Sequence, residues 1–172
     1  MPKHSGGMAY TRKKYIRSMP QSMIKRFTLG DTKAEFSHVA LLKAAYSSAL
    51  GSGSLEAARV TANKVLEISG KPFLLKISPF PHEVVREHKF MGFAGADRLS
   101  RGMTKSFGRP ASRTAKVTSD QVIISIHVND DMVETAKTAL KRAAKKLPVL
   151  CNIAVQEERM AVVQENVQES EP

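Results

Sequence analysis

Apolar residues that recur three and four positions apart predict a first amphipathic helix in this chain of 172 residues. Ser54 is the expected N-cap, and Glu56 is placed in the first turn, where a carboxylate suits the helix dipole. Gly70 followed by Pro72 is expected to end the helix. The face predicted to enter the core consists of Leu55, Ala58, Ala62, Val65 and Leu66.

A second helix is predicted after residue 130, because Asp131 and Glu134 have the spacing of a capping box. Pro148 is expected to end it. Its predicted core face consists of Val133, Ala136, Leu140, Ala143 and Leu147. A basic stripe lies beside that face, made of Lys137, Lys141, Arg142, Lys145 and Lys146. Such a stripe is usually a solvated face, but few acids follow Glu134, and phosphate contact is the favoured interpretation.

Short runs rich in apolar and β-branched residues predict the strands. They are residues 23–29, 34–46, 73–78, 82–90, 121–128 and 149–155. Alanine and leucine are frequent in 34–46, so a helix remains an alternative there, and 47–54 reads as a turn or loop. The strands do not alternate regularly with the helices. The pattern therefore predicts an α+β fold, with a mixed or antiparallel sheet carrying two main helices.

Residues 92–116 lack apolar alternation and predict a long basic loop rather than a core strand. Four glycines and Pro110 interrupt this stretch, and Asp97 is its only acid. Leu99, Met103 and Phe107 are four residues apart, which allows a short helix within it. A glycine-rich segment that carries many cations suits a folded polyanion, which indicates RNA.

Charge divides the chain into three parts. Residues 1–22 form a basic arm without acids, for which an RNA-ordered segment is favoured over a solvated tail. Residues 23–156 form a single domain, and 157–172 form an acidic tail with five glutamates and one arginine. Removing that tail from the total of 27 basic and 16 acidic residues leaves 26 and 11. Such an imbalance requires a polyanion, with nucleic acid the first candidate and an anionic membrane the second.

The rest of the composition limits which membrane, metal and catalytic functions the chain is expected to have. No apolar run is long enough for a membrane span, and the single cysteine, Cys151, excludes an internal disulfide and is expected in the core. No histidine has a partner at a metal-ligand spacing, and no phosphate-binding or nucleophile motif is present, so neither metal, cofactor nor catalysis is expected. Gly92–Gly95 has the spacing of a KH clamp loop, which is a weak signal.

Three motifs resemble one family over about residues 8–156. They are AYTRKKYIRSMP at 9–20, LEAARVTANKVLE at 55–67, and FAGADRLSRGM with FGRPASRTAKV at 93–117. The chain is similar here to the archaeal and eukaryotic large-subunit ribosomal protein family L-ten-e, whose bacterial relative is L-sixteen. The resemblance implies an α/β-hammerhead type of domain and binding to large-subunit rRNA between the central protuberance and the peptidyl-transferase region. It departs from the family's pattern at residues 2–7 and 104–106.

The resemblance and the charge together define the expected binding residues. Those expected at rRNA are Lys3, His4, Arg12, Lys13, Lys14, Tyr15, Arg17, Lys25, Arg26, Arg59, Arg86 and Lys89. Those expected in a loop that faces tRNA acceptor ends and the peptidyl-transferase region are Arg98, Arg101, Met103, Lys105, Phe107, Gly108, Arg109, Pro110, Arg113 and Lys116. Of these, Arg98, Met103, Phe107, Gly108, Arg109 and Pro110 match the family's motif.

The sequence thus predicts a non-catalytic constituent of the cytoplasmic ribosome. Its expected partners are large-subunit rRNA, tRNA acceptor ends and neighbouring ribosomal proteins, with 5S rRNA as a further candidate. Neither a membrane nor a second copy of the chain is expected as a partner. The alternatives are a small RNA-modifying enzyme that uses the loop as a lid and a free RNA-binding regulator.

Overall fold

The computed structural model describes residues 16–87 and 108–157, which hold eight strands and two α-helices. Along the chain they are β1 (Thr28–Gly30), β2 (His38–Ala44), β3 (Ser48–Gly51), α1 (Ser52–Ile68), β4 (Leu74–Ile77), β5 (Glu83–Glu87), β6 (Arg109–Val117), β7 (Val122–Val128), α2 (Val133–Ala144) and β8 (Cys151–Glu157). A 3-10 helix at Asp130–Met132 precedes α2. The strands form a five-stranded and a three-stranded sheet, and the two helices pack against each other.

The larger sheet has five strands in the order β1-β4-β7-β2-β8, and every neighbouring pair is antiparallel. Ile77, Ile124 and Leu42 lie in one row across its three inner strands, and all three are buried. α2 packs against β2, β7 and β8 of this sheet and against α1. Its buried residues are Ala136, Ala139, Leu140 and Ala143, and three of the four are small.

The smaller sheet has three strands in the order β3-β6-β5, also antiparallel. α1 begins directly after β3, with Gly51 as its N-cap, and packs on β3, β6 and α2. Leu55, Ala58, Ala62 and Leu66 are fully buried on that helix. Each fully buried leucine contributes about 1.5–3 kcal/mol relative to exposure, so burial of the α1 face is a substantial part of the core's stability.

The α+β class with two helices is confirmed, and both predicted helix core faces are confirmed. The strands predicted in 73–78 and 121–128 form β4 and β7, and that in 149–155 begins β8. The helix alternative for 34–46 is wrong, because β2 pairs on both sides, with β7 and β8. The loop predicted over 47–54 is also wrong, since β3 and the first turn of α1 occupy it.

Both predicted helix caps are wrong. α1 begins at Ser52, two residues before the predicted cap, so Glu56 lies beyond the first turn. No side chain caps α2. The 3-10 helix precedes it directly, and the backbone N–H of Val133 donates to the carbonyl of Asp130. Asp131 instead pairs with Lys71 Nζ at 3.0 Å, and Asp130 accepts hydrogen bonds from Ser37 and His38. These two carboxylates therefore link the start of α2 to the segments that contain Lys71 and Ser37.

The last eight residues of the predicted loop 92–116, 109–116, are a strand. β6 is the central strand of the smaller sheet and pairs with β3 through 114–117 and with β5 through 109–114. Thr114, Ala115 and Val117 are buried, although basic residues alternate with them. Backbone pairing on both sides and burial of small side chains outweigh the weak apolar signal. The first half of β6 also contains a register shift opposite Val85 and Arg86, where Ala111, next to Pro110, is the extra residue.

Candidate nucleic-acid interface

The segment 88–107 begins and ends at neighbouring positions of the smaller sheet. Glu87 at the end of β5 is opposite Arg109 at the start of β6. Gly108 has a positive φ of 96°, a conformation that glycine adopts without steric cost. The buried Arg86, only 9% exposed, donates from Nη1 to the Gly108 carbonyl at 3.2 Å. Arg86 therefore fixes the base of this connection, and most of its guanidinium is withdrawn from solvent.

The root of the N-terminal arm, at Pro20, is held by a side chain of β6. Arg113 Nε donates to the Pro20 carbonyl oxygen at 2.7 Å. Four residues further on, Ile24 enters the core and is 2% exposed. The chain therefore passes β6 at Pro20 and enters the core at Ile24. Because a strand rises about 3.4 Å per residue, the arm root at Arg113 and the loop base at Gly108 are separated by about 17 Å.

Four cations around these two attachment points have free side chains. Within the described ranges, no ion pair is formed by Arg17, Lys25, Arg26 or Arg109, and all four are exposed. Lys25 and Arg26 directly follow the buried Ile24, and Arg109 directly follows the loop base. The geometry thus collects unneutralised positive charge where the arm and the loop join the domain.

Two other cations expected at RNA are paired within the protein. Arg59 forms a two-pronged pair with Glu56, with Nε–Oε2 at 2.9 Å and Nη2–Oε1 at 2.5 Å. The hydrogen bond from Arg59 lowers the pKa of Glu56, and the bond to Glu56 raises the pKa of Arg59. Lys116 Nζ lies 3.4 Å from Glu83 Oε1, which His82 also approaches. Arg59 is 14% exposed, so its charge is both neutralised and largely covered.

The solvent face of α2 carries the basic stripe seen in the sequence. Lys137 pairs with Glu134 at 2.7 Å, and this bond lowers the Glu134 pKa. The four cations beyond Lys137 are exposed and have no ion pair among the described residues: Lys141, Arg142, Lys145 and Lys146. A cation in the last turn gains about 0.3–1 kcal/mol from the helix dipole. Each like-charge pair four residues apart loses about 0.2–0.5 kcal/mol.

Other chemistry is sparse in the described part of the chain. No group of three or more His, Cys, Asp or Glu side chains in 16–87 and 108–157 could hold a metal ion. Burial raises the pKa of the Cys151 thiol to about 11, and its side chain packs against the core as expected. None of the described helices has the length and apolar character needed to cross a membrane.

The expected binding residues divide into two groups. Those within the described ranges are Arg17, Lys25, Arg26, Arg59, Arg86, Gly108, Arg109, Pro110, Arg113 and Lys116. Those that lie outside them are Lys3, His4, Arg12, Lys13, Lys14, Tyr15, Lys89, Arg98, Arg101, Met103, Lys105 and Phe107, together with the KH-like tetrapeptide and the acidic tail beyond residue 157. The pairing of Glu56 with Arg59 was foreseeable from their three-residue spacing on one helix, a signal that the sequence reading missed.

Comparison with known proteins identifies the family. The model of the family described as ribosomal protein L16p/L10e matches residues 6–154. A large ribosomal subunit protein uL16 from Staphylothermus marinus is 41% identical over 152 residues, covering 87% of each chain. Proteins with the same name from Thermofilum pendens and Methanococcus maripaludis are 40% and 39% identical, covering 90% and 86% of this chain and 94% and 86% of their own. The chain therefore belongs to the L16p/L10e family of ribosomal proteins.

Proposed function

We propose that this chain is a structural constituent of the large ribosomal subunit and binds the subunit's rRNA. Membership of the L16p/L10e family supports the assignment, since the matched relatives carry the name of a large-subunit protein. The net charge of +11 supports a polyanionic partner. This class of function needs no catalytic group, and the work of the protein is to hold folded RNA in place.

The observation that carries the proposal is the common attachment of arm and loop to β6. Arg113 holds the arm root at Pro20, and Arg109 follows the loop base on the same strand. Two long basic segments that leave a rigid sheet about 17 Å apart can enter separate RNA grooves while the domain stays in one place. The free cations Arg17, Lys25 and Arg26 then contact phosphates at the arm root.

In this proposal Arg86, Arg113 and Arg59 act mainly by holding the protein in shape, and the RNA contacts come from exposed cations. The segment from 92 to 108, with Arg109 at its foot, reaches towards tRNA acceptor ends near the peptidyl-transferase centre. The partners are large-subunit rRNA, with 5S rRNA as a further candidate, and neighbouring ribosomal proteins. The protein works as one copy per cytoplasmic ribosome and performs no catalysis.

Sedimentation of a native lysate through sucrose tests the proposal. The protein is expected to migrate with the large subunit and to remain there after a wash at moderate salt. A small RNA-modifying enzyme or a free regulator would instead stay near the top of the gradient, at low molecular weight. Recovery of the protein only in that light fraction would contradict the proposal.

A second assay separates phosphate contacts from other modes of binding. The logarithm of the association constant for deproteinised large-subunit rRNA is expected to fall linearly with the logarithm of salt concentration. The slope should correspond to about 0.7–0.9 per phosphate contacted. A quadruple variant that replaces Arg17, Lys25, Arg26 and Arg109 with glutamine should lower that slope by about 3. A slope equal to that of the natural protein would remove these residues from the interface.

A further inference from the structure

Among the described residues, the exposed face of α2 carries a cluster of four cations that form no ion pair. Lys141, Arg142, Lys145 and Lys146 are exposed over the last part of the helix and the residues that follow it. Opposite them on the helix, Ala139, Leu140 and Ala143 are buried, and α2 packs against the larger sheet and α1. The helix is therefore fixed in rotation, and its cations are directed away from the core.

The fold does not account for these four charges. Lys71 and Lys137 each form an ion pair with a carboxylate, whereas none of the four forms an ion pair with a described residue. Lys141 acts on Glu134 only through longer-range attraction, which contributes to the lowered pKa of Glu134. The helix dipole favours a cation in the last turn, but three pairs of like charges four residues apart oppose it: Lys137 with Lys141, Lys141 with Lys145, and Arg142 with Lys146. Neutral residues at these positions would serve the helix equally well.

The chemistry of the face selects phosphates rather than bases. The other side chains on its solvent side are Glu134, Thr135, Lys137 and Thr138, so the face has no aromatic ring on which a base could stack. Lys141 and Lys145 are one turn apart, a rise of about 6 Å along the axis. A rigid row of cations with this repeat can follow successive phosphates of a folded RNA strand without reading its sequence.

We propose that this face of α2 is a second RNA-binding surface that contacts the phosphate backbone of a folded RNA independently of base sequence. The inference rests on the proposed function and extends it to a second element of the fold. α2 packs on the five-stranded sheet, whereas the arm root and loop base belong to the three-stranded sheet. The domain would therefore contact RNA through elements that pack on both sheets.

The test compares two double variants of the full chain that lose the same charge. One is Lys141→Gln with Lys145→Gln on the α2 face. The other is Lys33→Gln with Lys64→Gln, two exposed lysines that belong to neither proposed surface. Binding to deproteinised large-subunit rRNA and to an RNA duplex of unrelated sequence is measured over a range of salt. Circular dichroism confirms that both variants are folded, since glutamine is a good helix former.

The α2 double variant is expected to lower the salt slope by about 1.4–1.8 on both RNAs, and the Lys33/Lys64 variant to leave it nearly unchanged. Equal changes in the two variants would reveal a global charge effect and overturn the inference. If this face instead binds the acidic residues 158–172 of the same chain, the α2 variant should bind RNA as tightly as the natural protein or more tightly. That result would also overturn the inference.

The same assay distinguishes this inference from the proposed function. Loss of salt-dependent binding in the Arg17, Lys25, Arg26 and Arg109 variant, with the α2 variant unaffected, leaves the proposed function intact and rejects only the second surface. Absence of salt-dependent binding by the natural protein rejects the proposed function and the second surface together.

Discussion

The guanidinium of Arg113 and the carbonyl of Pro20 join two parts of the chain that are 93 positions apart, through a hydrogen bond of 2.7 Å. This bond fixes the direction in which the basic arm leaves the domain. A hydrogen bond from a charged group contributes about 1.5–3 kcal/mol when it is well shielded, and this one is partly buried. We therefore expect its main effect on the arm root, with a smaller effect on global stability.

Replacing Arg113 with methionine should release the arm root while retaining the aliphatic length of the side chain. Limited proteolysis is expected to cut before Ile24 several times faster than in the natural protein, and the free energy of unfolding should fall by about 1 kcal/mol. Arg26→Met is the matched control, because Arg26 is exposed and has no ion pair in the described ranges. Equal cleavage rates in the two variants would show that the Arg113 bond does not restrain the arm.

A pair of glycines tests the fold with changes of opposite sign. Gly30 in β1 has a φ of +97°, and a Cβ there would lie 2.0 Å from the Phe73 carbonyl oxygen. Gly30→Ala should therefore destabilise the protein by about 3 kcal/mol or more. Gly53 in α1 has nothing within 4 Å of an added Cβ, so Gly53→Ala should stabilise it by about 0.5 kcal/mol. Urea unfolding measures both, and a neutral Gly30→Ala would contradict the β1–β4 register.

The pair of Glu56 and Arg59 predicts a stability change that depends on pH. The hydrogen bond from Arg59 lowers the pKa of Glu56 below its ordinary value of 4.5. The pair therefore contributes stability above pH 4.5, and this contribution is lost as the pH falls through the folded-state pKa. Glu56→Gln should cost about 0.5 kcal/mol at pH 7 and almost nothing near pH 3. Urea titrations at the two pH values measure this, with the exposed Glu35→Gln as the control. A cost that persists unchanged at pH 3 would exclude the ion pair as its cause.

Removal of residues 88–107 separates fold from function. Because Glu87 and Arg109 are paired neighbours, a short glycine-rich turn can reconnect them with little change in stability. Deleting 98–116 instead should unfold the domain, since it removes most of β6, the central strand of the smaller sheet. Thermal unfolding compares the two deletions.

Ribosomes that contain the 88–107 deletion should assemble the protein yet be impaired in tRNA accommodation or peptidyl transfer, because the proposed reach towards tRNA acceptor ends is lost. Peptide-bond formation by purified particles measures this. Normal rates with the deleted protein present in stoichiometric amount would remove the proposed role of the segment.

The parts of the fold that the sequence predicted are those whose pattern reflects burial on one face. The spacing of Leu55, Ala58, Ala62 and Leu66 predicts α1, and the β-branched run at 122–128 predicts β7. β6 was missed because basic and small residues dominate it and only three of its positions are buried. Its strand conformation depends on two partners distant in sequence, which no local pattern contains.

For the candidate interface, the sequence identified the cations but not which of them bond to other groups of the protein. Arg86, Arg109 and Arg113 look alike in the sequence. In the structure, however, Arg86 is buried and bonds to Gly108, Arg113 bonds to Pro20, and Arg109 is exposed and forms no ion pair with a described residue. Hydrogen-bond partners of this kind are set by tertiary contacts. Sequence alone therefore overestimates the number of cations available to RNA.

The most direct test of this account is the structure of the native large subunit that contains this protein. The account predicts phosphate oxygens within hydrogen-bond distance of Arg17, Lys25, Arg26 and Arg109, with the arm and the segment 88–107 running into RNA from opposite ends of the first half of β6. A particle in which these four side chains face bulk water, with no nucleotide beside either segment, would contradict it.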